Sequence, residues 1–292
     1  MIYDLRHLTI YRYESPVTFA RCALRLTPRS DSEQRLISTK LTITPRPTLL
    51  ENHQGQFGER VVTAIVETPH RELRIEAASR VDVRHRERTA PLAWTTWEDA
   101  RDAALAIASL DLDSPAHFLF PTPITPISSE FTAYARQEFT EGRPILEAAL
   151  ALACRIHADF TYDPKATEVW TPSAHAFEAR RGVCQDFAHI MISALKGLGL
   201  PAAYVSGYLR TRPAPGRPHL QGADATHAWV SLWCGPSEGW VGFDPTNALV
   251  VSDEHIVLAV GRDYSDVAPI GGVLLGSGDQ KISVAVDVAP VA

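Results

Sequence analysis

Short alternating runs of apolar and polar residues dominate the first 88 residues of the chain. Within residues 5–13, Leu8 and Ile10 share one face while polar and aromatic side chains occupy the other, which is the period of a β-strand. Further β-rich runs follow at 36–44, 61–67 and 73–83, separated by turns that contain Pro or Gly. Several strands at this spacing, without a helical period, predict an N-terminal β-sandwich domain over residues 1–88.

The pattern changes after residue 88. Five prolines interrupt residues 89–128, which we interpret as a linker with a short helix near 96–108. Helical spacing then covers 129–140, 143–160 and the segment that starts at Cys184. Strands are predicted at 202–210, 226–234, 240–244 and 281–288. Helices followed by strands indicate an α+β fold, with the core predicted over residues 129–292.

Composition narrows the possible partners. The 292 residues carry 28 basic and 34 acidic side chains, a net charge of −6, which disfavours a dedicated nucleic-acid binder. No stretch approaches the ~18 apolar residues of a membrane helix, so we expect no membrane partner. The first residues show the alternation of a strand rather than a signal peptide, and we therefore expect a cytoplasmic protein whose four cysteines are reduced.

Cys184 stands at the start of the most informative helix. Apolar residues between Phe187 and Leu198 form one stripe, and Gly199 with Pro201 provides the stop signal. Cys184 is therefore expected in the first turn, where the helix dipole favours a thiolate and backbone N–H groups can stabilise an oxyanion. Packing is the commoner role for a lone cysteine at a helix start, and this segment alone does not exclude it.

A histidine and a carboxylate follow on a predicted hairpin. His227 lies on a strand, opposite an aliphatic row, and residues 235–239 read as the turn before Asp244. One turn geometry places His227 opposite Asp244, and a longer loop places it opposite Asn247. Opposed Cβ atoms are ~4.5–5.5 Å apart, close enough for a carboxylate to orient an imidazole. Together the three residue types supply a thiol nucleophile, its base and the residue that orients the base.

The chain resembles the bacterial two-domain transglutaminase-like proteins, whose core is papain-like. The resemblance rests on the core segments 182–189 (GVCQDFAH), 199–208, 222–230, 244–247 and 261–269, and on 11–13, 16–17 and 24–29 in the first domain. It implies an N-terminal β-sandwich followed by a transglutaminase-like core with Cys184, His227 and Asp244 as the catalytic triad. It also implies attack of a thiolate on a carboxamide and a thioester intermediate.

These observations predict a cysteine-dependent acyl-transfer enzyme that acts on peptide or protein amides. Hydrolysis, by a peptidase or amidase, is favoured over amine transfer by a protein-glutamine transglutaminase, because water is always available as an acceptor. A non-catalytic interaction module is the third alternative, and the intact set of three residues argues against it. The sequence is also compatible with a homo-oligomer.

Several further residues near the triad are candidates for substrate contact. The Pro-rich segment 212–220 is predicted to be a lid over the substrate. Trp170, which lies 14 residues before Cys184, is interpreted as a packing residue. The predicted substrate contacts are Gln185, Tyr208, Trp229 and Asn247.

No cofactor or metal is expected, because Cys154 and His157 lack the second ligand pair of a metal site.

Overall fold

The computed structural model describes residues 1–84, 95–211 and 225–291. Two antiparallel four-stranded sheets pack face to face at one end of the molecule, and a five-stranded sheet with helices forms the other part. The predicted fold class, an N-terminal β-sandwich followed by a papain-like α+β core, is confirmed. The predicted lid at 212–220 and the start of the predicted linker, 89–94, lie outside the described residues.

Six N-terminal strands supply most of the sandwich. They are β1 (Ile2–Val17), β2 (Phe19–Leu24), β3 (Gln34–Thr44), β4 (Leu49–Gln54), β5 (Arg60–Val66) and β6 (His70–Val83). Alternation along these strands puts apolar side chains between the sheets, where Val62 and Ala64 of β5 meet Leu73 and Ile75 of β6. The sequence patterns missed β2 and β4, since both are short and β4 is exposed throughout.

The core begins earlier in the chain than predicted. Helix α1 (Trp97–Leu105) lies in the predicted linker, yet Trp97 and Ala100 are buried in the main hydrophobic core. The Trp97 indole also donates a hydrogen bond to the Thr140 carbonyl over 2.9 Å. A 3-10 helix, Pro115–Phe118, follows and buries Phe118 against Phe57 of the N-terminal domain. The described part of the linker is therefore packed structure.

Helices and a five-stranded sheet build the core itself. The helices are α2 (Ser129–Arg136), α3 (Ile145–Asp159), α4 (Ser173–Ala179), α5 (Cys184–Gly197) and α6 (Tyr264–Val267). The larger sheet contains β9 (Ala202–Leu209), β10 (Ala225–Trp233), β11 (Trp240–Asp244), β12 (Leu249–Val250) and β13 (His255–Gly261), in the order β12-β11-β10-β9-β13. A parallel pair, β7 (Thr161–Tyr162) and β8 (Arg181–Gly182), lies just before α5.

The last two strands belong to the N-terminal sheets and not, as the sequence predicted, to the core. Strand β14 (Ile270–Leu275) pairs with β2, and β15 (Gln280–Pro290) pairs with β1 along eleven residue pairs from Tyr3 to Tyr13. The prediction over 129–292 is wrong here because a strand's alternation reveals which face is buried but not which strand is its partner.

A shared apolar cluster joins the two parts of the molecule. Val286 and Val288 of β15 pack with Tyr3 and Leu5 of β1 and with core residues Tyr208, Ile256 and Leu258. Buried polar groups reinforce this contact, since the Gln34 side chain donates to the Val257 carbonyl and accepts from the Val257 N–H. The sandwich thereby holds β9 and β13 in place. None of the helices in the described segments is long and apolar enough to cross a membrane.

Candidate active site

Cys184 is the first residue of α5, as the apolar stripe predicted. The buried Asp186 carboxylate caps the N-terminus of this helix. It accepts hydrogen bonds from the Val183 N–H over 2.8 Å and from the Thr167 hydroxyl over 2.6 Å. Burial raises the pKa of Asp186, against these two hydrogen bonds. The Cys184 side chain is half-buried. It therefore sits at the positive end of a helix dipole with its backbone N–H in the first turn.

His227 and Asp244 come together across the β10–β11 hairpin. Val230 pairs with Phe243 and Ser231 with Gly242. This register lies between the two registers that the sequence left open. Continued outward, it places Asp244 diagonally across from His227 rather than directly opposite. Diagonal neighbours remain within reach of long side chains. The His227 Nε2 atom lies 2.8 Å from Asp244 Oδ2, so the predicted pair forms in a register that was not predicted.

Cys184 lies close enough to the same imidazole to interact with it electrostatically. Burial alone would lower the pKa of His227, but the hydrogen bonds and charges of Asp244 and Cys184 outweigh burial and raise it to about 10. The imidazole is thus held in its protonated, cationic form beside the thiol.

Asp244 is fully buried and held by five hydrogen-bond donors. Its Oδ1 accepts the backbone N–H groups of Thr246 and Asn247 over 2.9 Å and 3.2 Å. Its Oδ2 accepts from His227, from the Asn247 amide over 2.6 Å and from His255 Nε2 over 3.2 Å. Burial would raise the pKa of this carboxyl, but the histidines and Asn247 hold it well below its usual range. The carboxylate stays charged and fixed in direction.

His255 was missed from the sequence because it fitted no ligand or catalytic motif. It comes eleven residues after Asp244 at the start of β13, and β10 and β9 separate its strand from β11. In the part of the chain that the structure describes, His227, Asp244 and His255 are the group that could hold a metal ion, with ligand atoms within 4.8 Å of one another. These atoms are already paired by hydrogen bonds, in which the Nε2 atoms of His227 and His255 donate and Asp244 Oδ2 accepts.

The four predicted substrate contacts divide into two pairs. Gln185 is half-buried beside Cys184 and its amide donates to the Val169 carbonyl over 2.8 Å, whereas Asn247 is exposed and its amide holds Asp244. Tyr208 and Trp229 are each only 1% exposed, so their assignment as substrate contacts is wrong. Tyr208 packs in the contact between the domains, and Trp229 packs against His255.

Two exposed aromatic residues lie near the nucleophile. Tyr162 pairs with Gly182 in the β7–β8 ladder, contacts the Phe187 ring and is 53% exposed. Burial and the nearby Cys184 raise the pKa of its hydroxyl. Trp170 follows the residue that Gln185 binds and is 73% exposed, so its interpretation as a packing residue is wrong. The parallel pairing of β7 with β8 brings Tyr162 to the site.

Fold and geometry together define the class: an α+β protein with a papain-like, transglutaminase-like core and an N-terminal β-sandwich. Residues 3–82 match the bacterial transglutaminase-like N-terminal region, and residues 132–245 match the transglutaminase-like superfamily. The chain belongs to the bacterial transglutaminase-like family, a group of cysteine-dependent enzymes.

Individual relatives agree with this assignment. The chain is 39% identical over 300 residues to an uncharacterized protein of Mycobacterium tuberculosis, covering 99% of this chain and 92% of the relative. It is 33% identical over 135 residues to a protein-glutamine gamma-glutamyltransferase of Pseudomonas aeruginosa, covering 41% and 20% of the two chains. A solved structure from Cytophaga hutchinsonii, described as a candidate cysteine protease, shares the fold with a TM-score of 0.75 and 22% identity, covering 100% and 92%.

Proposed function

We propose that the protein is a cysteine-dependent acyl-transfer enzyme in which Cys184 is the nucleophile, His227 the base and Asp244 the orienting carboxylate. The observation that carries the proposal is the 2.8 Å hydrogen bond between His227 Nε2 and Asp244 Oδ2, on a ring that also interacts with Cys184, the first residue of α5. A half-buried thiol on a cationic imidazole, at a helix start, is the arrangement that activates a thiolate.

The chemistry follows from this arrangement. The Cys184 thiolate attacks the carbonyl carbon of an amide, and negative charge develops on the oxygen near the helix start, where the Cys184 N–H can stabilise it. His227 then gives its proton to the departing amine, which leaves a thioester on Cys184. A water molecule, deprotonated by His227, attacks the thioester and releases a carboxylic acid. Asp244 stabilises the imidazolium form of His227 throughout.

We favour hydrolysis of peptide or glutamine-type amides over amine transfer. Hydrolysis needs no second binding site, and the Cytophaga hutchinsonii structure described as a candidate cysteine protease shares this fold. Amine transfer is the second candidate, favoured by the match to the Pseudomonas aeruginosa protein-glutamine gamma-glutamyltransferase. A non-catalytic module would not need the polar chain from Cys184 to Asp244, which is costly to bury. We propose the cytoplasm as its location, since reducing conditions keep a reactive thiol free.

Alkylation tests the nucleophile without a known substrate. The protein is treated with iodoacetamide between pH 4 and pH 10, and each cysteine is quantified by mass spectrometry. Cys22, Cys154 and Cys234 serve as internal controls. We expect Cys184 to react faster than the three control cysteines at the acidic end of this range, and His227→Ala to abolish that difference. Ordinary thiol behaviour of Cys184 would exclude the thiolate–imidazolium pair.

Product analysis separates the two reactions. A glutamine-containing peptide is incubated with the enzyme and a primary alkylamine, and the products are identified by mass spectrometry. A free carboxylate supports hydrolysis, whereas an amine adduct as the main product makes the protein a transferase. Cys184→Ala should abolish both products, and full turnover by that variant would overturn the mechanism.

A further inference from the structure

Two histidines share one oxygen of the carboxylate at the site. His255 Nε2 lies 3.2 Å from Asp244 Oδ2, the atom that His227 Nε2 contacts at 2.8 Å. The His255 side chain is 1% exposed, against 7% for His227. Since Cys184 interacts with the His227 ring, His227 is the histidine placed to exchange a proton with the thiol, whereas His255 contacts the same carboxylate from a more buried position.

Its hydrogen-bond partners define the protonation state of His255. The Ser252 N–H points at His255 Nδ1 over 3.4 Å, so Nδ1 acts as an acceptor and carries no hydrogen. A neutral imidazole with a bare Nδ1 has its hydrogen on Nε2. That hydrogen is aimed at Asp244 Oδ2, and it makes His255 a donor to the carboxylate without adding a charge.

Packing fixes the direction of the His255 ring. The Trp229 indole meets it edge to face, with ring centroids 5.2 Å apart. Trp229 in turn occupies the space beside Gly207, where an added Cβ would lie 2.5 Å from the indole and 2.2 Å from the Ile256 carbonyl oxygen. Gly207 therefore admits Trp229, and Trp229 leaves His255 little freedom to turn away from Asp244.

We propose that His255 is a positioning residue of the reaction: a neutral donor that holds Asp244 Oδ2 toward His227 Nε2. This inference rests on the proposed function of Cys184, His227 and Asp244. Of the five donors on Asp244, His255 and Asn247 are the two whose side chains share Oδ2 with His227. The other two are backbone N–H groups on Oδ1, which anchor the carboxylate but do not aim Oδ2.

A matched pair of variants isolates the donor. In His255→Gln the amide nitrogen can take the place of Nε2, whereas in His255→Asn the shorter amide reaches only the place of Nδ1. The probe is iodoacetamide at pH 6.5, with alkylation of Cys184 followed by mass spectrometry. We expect His255→Asn and His255→Leu to react about tenfold more slowly than the wild type, the effect of one lost hydrogen bond, and His255→Gln to stay within about threefold.

A double-mutant cycle shows whether His255 acts through Asp244. If it does, His255→Leu in the Asp244→Asn background should change the rate by less than about twofold. His7→Leu is the control, because His7 is also buried but lies in the contact between the domains. It should leave the Cys184 rate within about twofold. An undiminished effect of His255→Leu without Asp244, or full reactivity of His255→Asn, would overturn the proposal.

Nitrogen NMR of the histidine rings gives a readout that does not depend on the thiol. We expect the hydrogen of the His255 ring to be on Nε2, and the signal of that nitrogen to move in Asp244→Asn. Hydrogen on Nδ1 of His255 in the wild type would contradict the assigned hydrogen bond, and this readout does not depend on whether the variants fold. An Nε2 signal that does not move in Asp244→Asn would contradict it as well. If Cys184 is alkylated like an ordinary thiol while His255 gives the expected signal, the proposed function is wrong but the hydrogen bond is supported.

Discussion

At the scale of single residues, the buried carboxylate of Asp244 controls the electrostatics of the site. Moving a carboxylate out of water is costly unless donors replace the water. Asp244 receives five such donors, and three of them come from the short turn that follows it: the N–H groups of Thr246 and Asn247 and the Asn247 side-chain amide. The charge that results is what keeps His227 cationic beside Cys184. One local turn therefore supplies much of the field on which the thiol depends.

Replacing Asp244 by Asn should slow the reaction strongly. The amide has the same shape but no charge, so it stabilises the imidazolium form of His227 poorly and presents an N–H to one of its donors. We expect turnover to fall by about 10²–10⁴-fold, as for the loss of an orienting carboxylate. The measurement is the initial rate on an amide peptide. Asp266→Asn, which breaks a pair with Arg262 outside the site, is the control, and a drop of less than twofold in Asp244→Asn would contradict the role.

The raised pKa of His227 predicts how stability depends on pH. The free pKa is near 6.5 and the folded value is about 10, so the folded state binds the proton more tightly. The stabilisation is fully present below pH 6.5 and is lost as pH rises through about 10. Urea unfolding of the wild type and of His227→Gln at pH 6, 8 and 10.5 checks this. Their difference in unfolding free energy should shrink toward pH 10.5, and a constant difference would refute the ion pair.

At the scale of elements, one hairpin, one further strand and one helix start meet at the site. Helix α5 supplies Cys184 at its first residue, and the β10–β11 hairpin supplies His227 and Asp244. Strand β13 adds His255 from the far edge of the sheet, a contact that depends on the close approach over Gly207. A glycine inside a strand often marks such a close approach.

Gly207→Ala should disturb the site through packing alone. The new methyl group would overlap the Ile256 carbonyl oxygen and the Trp229 ring, so the strand or the indole must move. We expect a loss of about 1–3 kcal/mol in unfolding free energy, typical of overpacking, together with slower Cys184 alkylation. Gly271→Ala is the matched control, because no atom lies within 4 Å of its added Cβ. Equal effects of the two substitutions would argue against this account of Gly207.

At the scale of the whole molecule, the N-terminal sandwich is closed by the C-terminal strands. β14 and β15 leave the core and complete the two sheets beside β2 and β1. The shared cluster of Tyr3, Leu5, Val286 and Val288 then packs against β9 and β13. These are the strands that carry Gly207 and His255, so the sandwich supports the site from behind.

Tyr208→Phe separates a structural role from substrate contact. The Tyr208 hydroxyl hydrogen-bonds His7 Nδ1 over 2.8 Å in the contact between the domains, and its removal leaves a buried ring nitrogen unpaired. We expect a loss of about 1–3 kcal/mol in unfolding free energy, with Cys184 alkylation within about twofold of wild type. The double variant Tyr208→Phe/His7→Leu should recover part of the loss. Turnover that collapses without loss of stability would restore Tyr208 as a substrate contact.

Local patterns were sufficient for the elements that carry the three central residues. The apolar stripe of α5 predicted Cys184 in a first turn, and the alternation around His227 predicted its strand. Tyr208 and Trp229 show where such reasoning fails. Strand alternation assigns each of them to a face, but whether a face meets solvent, another domain or a second histidine depends on what packs there.

By itself, the sequence determined the α+β class, the family resemblance and the order of Cys184, His227 and Asp244, because capping, periodicity and turn residues act over a few positions. Only the tertiary structure decided that β14 and β15 return to the first domain and that His255 reaches Asp244. Those contacts join residues distant in the chain or in the strand order. Their partners are chosen by the burial of whole faces and by the pairing of buried polar groups, which no local pattern records.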